Sequence, residues 1–142
     1  MSTVAALQRT LAAEHAAVWT YGLLGGRTSQ SSAPALYARV ADAYAVHRRR
    51  RDDLGDALVA LGQDPVAAGA TYDGPARADT ASQIAAAALA VERACGETYA
   101  ALVAESVGDR RRWAVGALAD AAGRELGFGG APTAFPGAPE LA

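Results

Sequence analysis

Asp42-Ala-Tyr-Ala-Val-His47-Arg-Arg-Arg-Arg-Asp-Asp-Leu54 is the stretch whose reading decides the fold. At about 100° per residue, Leu36, Val40, Ala43, His47, Leu54, Leu58 and Leu61 fall on one stripe of a helix. His47 stands near the centre of that stripe, with Arg50 and Arg51 on its two edges, so a core position has been given to a titratable group. Burying it alone would cost several kcal/mol, and other helices must therefore bring acidic or hydrogen-bonding partners to meet it.

Working outward, Pro34 is tolerated in the first turn of this helix and Ser32 is its expected cap. Gly62 and Asp64-Pro65 should end it. Upstream, a first helix is expected over about Thr3 to Leu24, capped by Ser2 or Thr3 and stopped by Gly25-Gly26. Val4, Leu7, Leu11, Val18 and Tyr21 form its apolar face with Glu14 inside it, while His15 and Trp19 lie on an adjacent edge.

Downstream, Gln63 to Ala78 is sixteen residues with two prolines, two glycines and no apolar periodicity. That is too long for a hairpin turn. The helix before it is ~40 Å long and sixteen extended residues reach ~50 Å, so the segment can travel the length of a bundle and set the third helix parallel to the second.

The third helix opens on the capping box Thr80-Ala-Ser-Gln83 and carries Ile84, Ala88, Val91, Cys95, Tyr99 and Leu102 on one stripe, with Glu92 at its edge. Gly108-Asp109 makes a tight turn, with Asp109 the expected cap of a fourth helix over about Arg110 to Leu126. Trp113, Ala117, Asp120 and Arg124 form one line of that helix and Val115, Ala119, Ala122 and Leu126 another, opposite. The tail from Gly127 to Ala142 holds three prolines with Phe128 and Phe135, an irregular segment apolar enough to dock on the bundle.

Composition agrees with an all-α fold. Ala supplies 38 of 142 residues and aromatics only 6%, which favours closely packed helices over a sheet. All 13 basic residues are Arg, a bias that reads as GC-rich coding. A net charge of −2 leaves no footprint for nucleic acid or an anionic membrane. A single cysteine, no signal-like N-terminus and no long apolar run point to a cytoplasmic single domain over residues 1–142.

Two helix hairpins joined by one long crossover is the ferritin-like form of the four-helix bundle. The run Glu14-His15-Ala-Ala-Val-Trp-Thr-Tyr21-Gly, the His47 to Asp52 segment, Glu92, Ala-Asp120-Ala-Ala-Gly-Arg124 and the closing Phe135-Pro-Gly-Ala-Pro together resemble a bacterial ferritin-like domain family of unknown function. The resemblance spans nearly the whole chain. It implies the fold and no activity.

A ferritin-like di-iron site takes a Glu from each of two helices and a Glu-x-x-His motif from each of the other two. Glu14 and Glu92 stand where two of those ligands would be, but Tyr44 lies three before His47 and the fourth helix has no histidine. Arg50, Arg51 and Arg124 add fixed positive charge that can neutralise Glu14, Glu92 and Asp120 in place of a metal. The expected centre is thus a metal-free buried network of Glu14, His47, Arg50, Arg51, Glu92, Asp120 and Arg124, without a cofactor. The alternatives are one iron or zinc ion on Glu14, His47 and Glu92 with His15 in reserve, as in a metal-handling oxidoreductase, or a small-ligand pocket using His47 as an acid or base.

Arg48 to Arg51 is followed at once by acidic residues and reads as a solvated face, and Cys95 as a small core residue. No phosphate loop, nucleophile elbow or paired-cysteine motif is present. The two apolar lines of the fourth helix cannot share one core, and His15, Trp19 and Leu23 drift toward an open edge of the first. A homodimer through one of these helices is the expected cover.

Overall fold

A computed structural model describes residues 1–141. They form α1 (Thr3–Arg27), α2 (Pro34–Ala60), α3 (Ala81–Glu105) and α4 (Gly108–Gly127), with a 3₁₀ turn at Pro139–Leu141 and no strand among the described residues. The fold is all-α, a four-helix bundle. None of the described helices is long and apolar enough to cross a membrane.

Capping explains most of the boundaries. The Ser2 side chain accepts a hydrogen bond from the Ala5 amide at the start of α1, and Thr80 and Gln83 form the reciprocal capping box of α3. Three expected boundaries shift. α1 runs through Gly25-Gly26 to Arg27, because neither glycine takes a positive φ; Thr28 ends the helix by directing both its amide and its hydroxyl to the Leu24 carbonyl. Ser32 does not cap α2. Ala33 holds the cap position without a side-chain bond, and the Ser32 amide instead donates to the Ser29 hydroxyl. Asp109 lies within the first turn of α4, behind Gly108 at φ +60°, and takes a hydrogen bond from Arg112.

α1 and α2 run antiparallel, with Gly25 against Val40 near one end of the pair and Glu14 against His47 at mid-length. α3 and α4 do likewise, Glu125 meeting Arg93 and Val103 meeting Arg111. α1 also packs antiparallel on α3, so α2 and α3 are parallel diagonal neighbours. The segment between Ala60 and Ala81 makes the crossover. Gln8 pins it at both ends of its side-chain amide, donating to the Asp64 carbonyl and accepting from the Val66 amide.

The crossover answers one of the two exposed edges. His15 bonds the Val66 carbonyl at 3.0 Å, Trp19 meets Tyr72 with ring centroids 6.1 Å apart, and Gly74 lies against Trp19 and Leu23. The edge of α1 is therefore covered within the chain. α4 stays two-sided. Ala114, Ala117 and Ala121 face the core, whereas Val115 and Leu126 are 49% and 50% exposed.

Two apolar clusters fill the ends of the bundle, one around Tyr21, Leu24, Val40 and Phe128 and the other around Leu7, Leu11, Leu54 and Leu58. The tail lies on α3, where Gly137 at φ +72° sits on the Gly96 carbonyl. The polar centre lies between the two clusters.

Candidate functional site

Glu14, His47 and Glu92 are all completely buried. Each comes from a different helix at the same depth, because the antiparallel and parallel pairings bring mid-helix positions together. Glu14 Oε2 is 2.6 Å from His47 Nδ1, and Glu92 Oε1 is 3.1 Å from His47 Nε2. Both ring nitrogens face carboxylates. A ring that donates from both is the imidazolium cation.

Burial works against that charge, but the neighbouring Cys95 and the hydrogen bonds to Glu14 and Glu92, with the negative charge of Glu14, push the His47 pKa up to about 12. Tyr21 stacks on the imidazole with centroids 5.2 Å apart and donates to Glu92 Oε1 at 2.5 Å. Tyr99 donates to Glu14 Oε1. Burial first, and then neighbouring negative groups, hold both phenols well above the usual tyrosine range, so they act as fixed donors.

The spacing behind this arrangement is symmetric. Glu14 precedes Tyr21 by seven residues on α1, and Glu92 precedes Tyr99 by seven on α3. Seven residues are about two turns, so each pair shares a face, and the antiparallel packing exchanges the partners. That repeat was the available sequence signal for the tyrosines, which apolar-stripe reasoning treats only as core.

The network continues outward. Arg50 Nη1 lies 3.3 Å from the Tyr99 hydroxyl, while Nη2 donates to Asp120 Oδ2 at 2.7 Å. Arg124 donates to the same oxygen at 2.7 Å and pairs with Asp42 at 2.8 Å. Burial disfavours the Asp120 charge, but the bonds and charges of Arg124 and Arg50 outweigh it and hold its carboxyl below the usual range. The chain of contacts thus runs from the interior to Asp42 on the surface. It bridges a seam between α2 and α4 that opens on either side into clefts of about 630 and 640 Å³.

Of the residues expected at the centre, Glu14, His47 and Glu92 meet there, and Arg50, Asp120 and Arg124 form its outward arm. Arg51 does not join. It turns to Asp52 at 2.8 Å and remains near the surface, because the edge of the stripe it occupies faces away from α3. His15 is also absent from the centre, being held by the crossover. Cys95, which the stripe of the third helix placed in the core, also stands at the polar centre, where the sequence reading did not put it. Its thiol, pushed up to about 11 by burial against the opposing influence of His47, donates to the Ala13 carbonyl and lies within 4.8 Å of ligand atoms of Glu14 and His47.

A ferritin-type metal pair does not fit these residues. α4 presents Ala114, Ala117 and Ala121 to the core, where ligands would have to stand. Glu14 and Glu92 lie at opposite nitrogens of one imidazole, so the ring separates the two carboxylates that a shared ion would join.

Residues 6–140 match the family described as a domain of unknown function, DUF4439. This chain belongs to the DUF4439 family. A solved structure similar to this DUF4439 chain is that of a conserved hypothetical protein, rv2844, from Mycobacterium tuberculosis. The two are 31% identical with a TM-score of 0.81, over 89% of this chain and 87% of the other. No curated protein matches it.

Proposed function

We propose that this chain is a ferritin-like bundle in which an imidazolium stands in for the metal pair, and that it serves as a binding or structural module. The observation that carries this reading is the 2.6 Å contact of His47 Nδ1 with Glu14 Oε2, a distance at which the two groups share a proton and leave no room between them for an ion. The two hairpins and the long crossover support the ferritin-like assignment. Neither large cleft is lined by Glu14, His47 or Glu92, which speaks for a structural centre over an acid-base pocket.

The module works as a homodimer through α4. Val115 and Leu126 are half exposed on one face, and isologous pairing of that face is the ordinary way for a soluble bundle to cover it. Elemental analysis of untagged protein tests the first part, with less than a tenth of an equivalent of iron or zinc expected. One or two equivalents, lost in a His47→Ala variant, would overturn it. Light scattering tests the second. A mass near twice 14.4 kDa is expected, falling to 14.4 kDa in Val115→Glu/Leu126→Glu, whereas a wild-type monomer at micromolar concentration would contradict the dimer.

A further inference from the structure

The cleft of about 640 Å³ at the Phe128 end of the α2–α4 seam combines an apolar slot with one unanswered charge. Its apolar lining is Ala38 from α2, Ala119, Gly123 and Gly127 from α4, and Phe128 just beyond the helix end. Glycine in a helix interior costs stability relative to alanine. A Cβ at Gly123 would meet nothing within 4 Å, so packing within the chain does not require this glycine. Its missing side chain keeps the slot open.

Charge decides what such a slot can hold. Arg39, Asp42, Asp120 and Arg124 are its charged lining. Arg124 pairs with both acids, and Arg50 also donates to Asp120. Arg39 is exposed and has no hydrogen-bond or ion-pair partner among the described residues, while its stem rests 3.8 Å from where a Cβ of Gly127 would stand. Arg39, Arg50 and Arg124 against Asp42 and Asp120 leave a single positive charge. The companion cleft of about 630 Å³ lacks that imbalance, because Arg49, Arg50 and Arg112 are matched there by Asp52, Asp53 and Asp120.

We infer that the slot binds a small monocarboxylate with a flat apolar body, the carboxylate on Arg39 and the body between α2 and the glycines of α4. This gives the binding module proposed above a ligand class. It depends on neither the buried clamp nor the dimer, since Glu14, His47, Glu92, Val115 and Leu126 do not line the slot. The volume lies within the range of about 300–1,000 Å³ that small-ligand sites occupy. A free guanidinium presents a planar fork of N–H donors that a carboxylate meets with both oxygens. A dianion such as a phosphate monoester would bring a second negative charge beside Asp42 and Asp120 with no further free cation to answer it. An ammonium would be repelled by Arg39.

The test titrates the full chain with naphthoate, its neutral counterpart naphthylmethanol and naphthyl phosphate, read by isothermal calorimetry at neutral pH. Naphthoate should bind at one site per chain, about 10-fold more tightly than the alcohol, and the phosphate no more tightly than naphthoate. Arg39→Gln should remove the advantage of the acid and leave the alcohol unchanged, whereas Arg49→Gln, in the companion cleft, should change neither. Gly123→Leu fills the slot and should abolish binding of both while the thermal midpoint stays at or above that of wild type. No binding at millimolar naphthoate, equal affinity for acid and alcohol, tighter binding of the phosphate, or an unchanged titration in Arg39→Gln or Gly123→Leu would overturn the assignment. Should Gly123→Leu not fold, Arg39→Gln, a surface change, decides the matter alone. The clamp and the dimer answer to elemental analysis and light scattering instead, so their failure is distinguishable from failure of this site.

Discussion

Tyr21 on α1 reaches across the bundle to Glu92 on α3 at 2.5 Å, and its ring lies flat on the His47 imidazole. One side chain therefore supplies both a donor to the carboxylate and an apolar wall to the cation that the carboxylate serves. Tyr21→Phe keeps the wall and removes the donor, leaving Glu92 with His47 as its remaining partner. The expected loss is about 1–3 kcal/mol of stability, the cost of an unmatched buried acceptor. Urea unfolding with an unchanged slope and a lower midpoint would confirm it, and an unchanged midpoint would remove Tyr21 from the network.

Glu14→Ala should cost more, because it strips His47 of one counter-charge and Tyr99 of its acceptor together. Leaving a buried cation partly unpaired costs on the order of 3 kcal/mol. In a chain of this size that amounts to roughly 10 °C in the thermal midpoint. A melt within a degree of wild type would show that Glu14 has no such partner in solution.

His47 also makes stability depend on pH, with a definite sign. Its pKa is raised from 6.5 to about 12 in the folded chain, so between those values the native state holds a proton that the unfolded state has released. The contribution is full below the unfolded value and is lost as pH rises toward the folded one. The groups facing the ring are Glu14 and Tyr21 from α1 and Glu92 and Cys95 from α3. Cys95, raised from 9.0 to about 11, adds a loss of the same sign between those values. Denaturation midpoints should fall from about pH 6.5 to about pH 9, and fall less in His47→Gln. Parallel curves for the two proteins would contradict a charged His47.

The sequence disclosed the helices, the crossover and the depth of the polar centre, because each depends on periodicity or on turn chemistry within one segment. Thr80 with Gln83 marked a helix start unaided, and the phase of His47 placed it in the core. What stayed hidden depended on how helices sit against one another. Glu92 looked like an edge residue on its own helix, yet it is completely buried because α1 and α2 both cover that edge. Arg51 had an equally inward phase and ended near the surface beside Asp52. Cys95 could be read as a core residue but not as a neighbour of His47, since that contact joins two diagonal helices. The α4 face was ambiguous for a similar reason. Ala114, Ala117 and Ala121 are too small to announce burial, and the larger Val115 and Leu126 lie outside.

The docked tail gives a prediction independent of the centre. At Gly137 the backbone has φ +72°, and a Cβ there would press on the Gly96 carbonyl. Both strain and contact oppose any larger residue, so Gly137→Ala should release the tail at a cost of about 1–3 kcal/mol. Limited proteolysis should then cut between Phe128 and Gly137 much faster than in wild type while α1 to α3 stay protected. Equal cleavage rates would mean that the tail is not held at this contact.

The most direct test of the buried imidazolium is ¹⁵N NMR of selectively labelled histidine. His15 and His47 give two ring systems that His15→Ala separates. At about pH 8, above the ordinary histidine range, His47 should show both ring nitrogens protonated, with exchange-protected N–H protons coupled to Glu14 and Glu92. A His47 ring bearing one proton at that pH, and titrating with an ordinary histidine midpoint, would contradict the charged clamp and with it the reading of this centre as a cation held in place of metal.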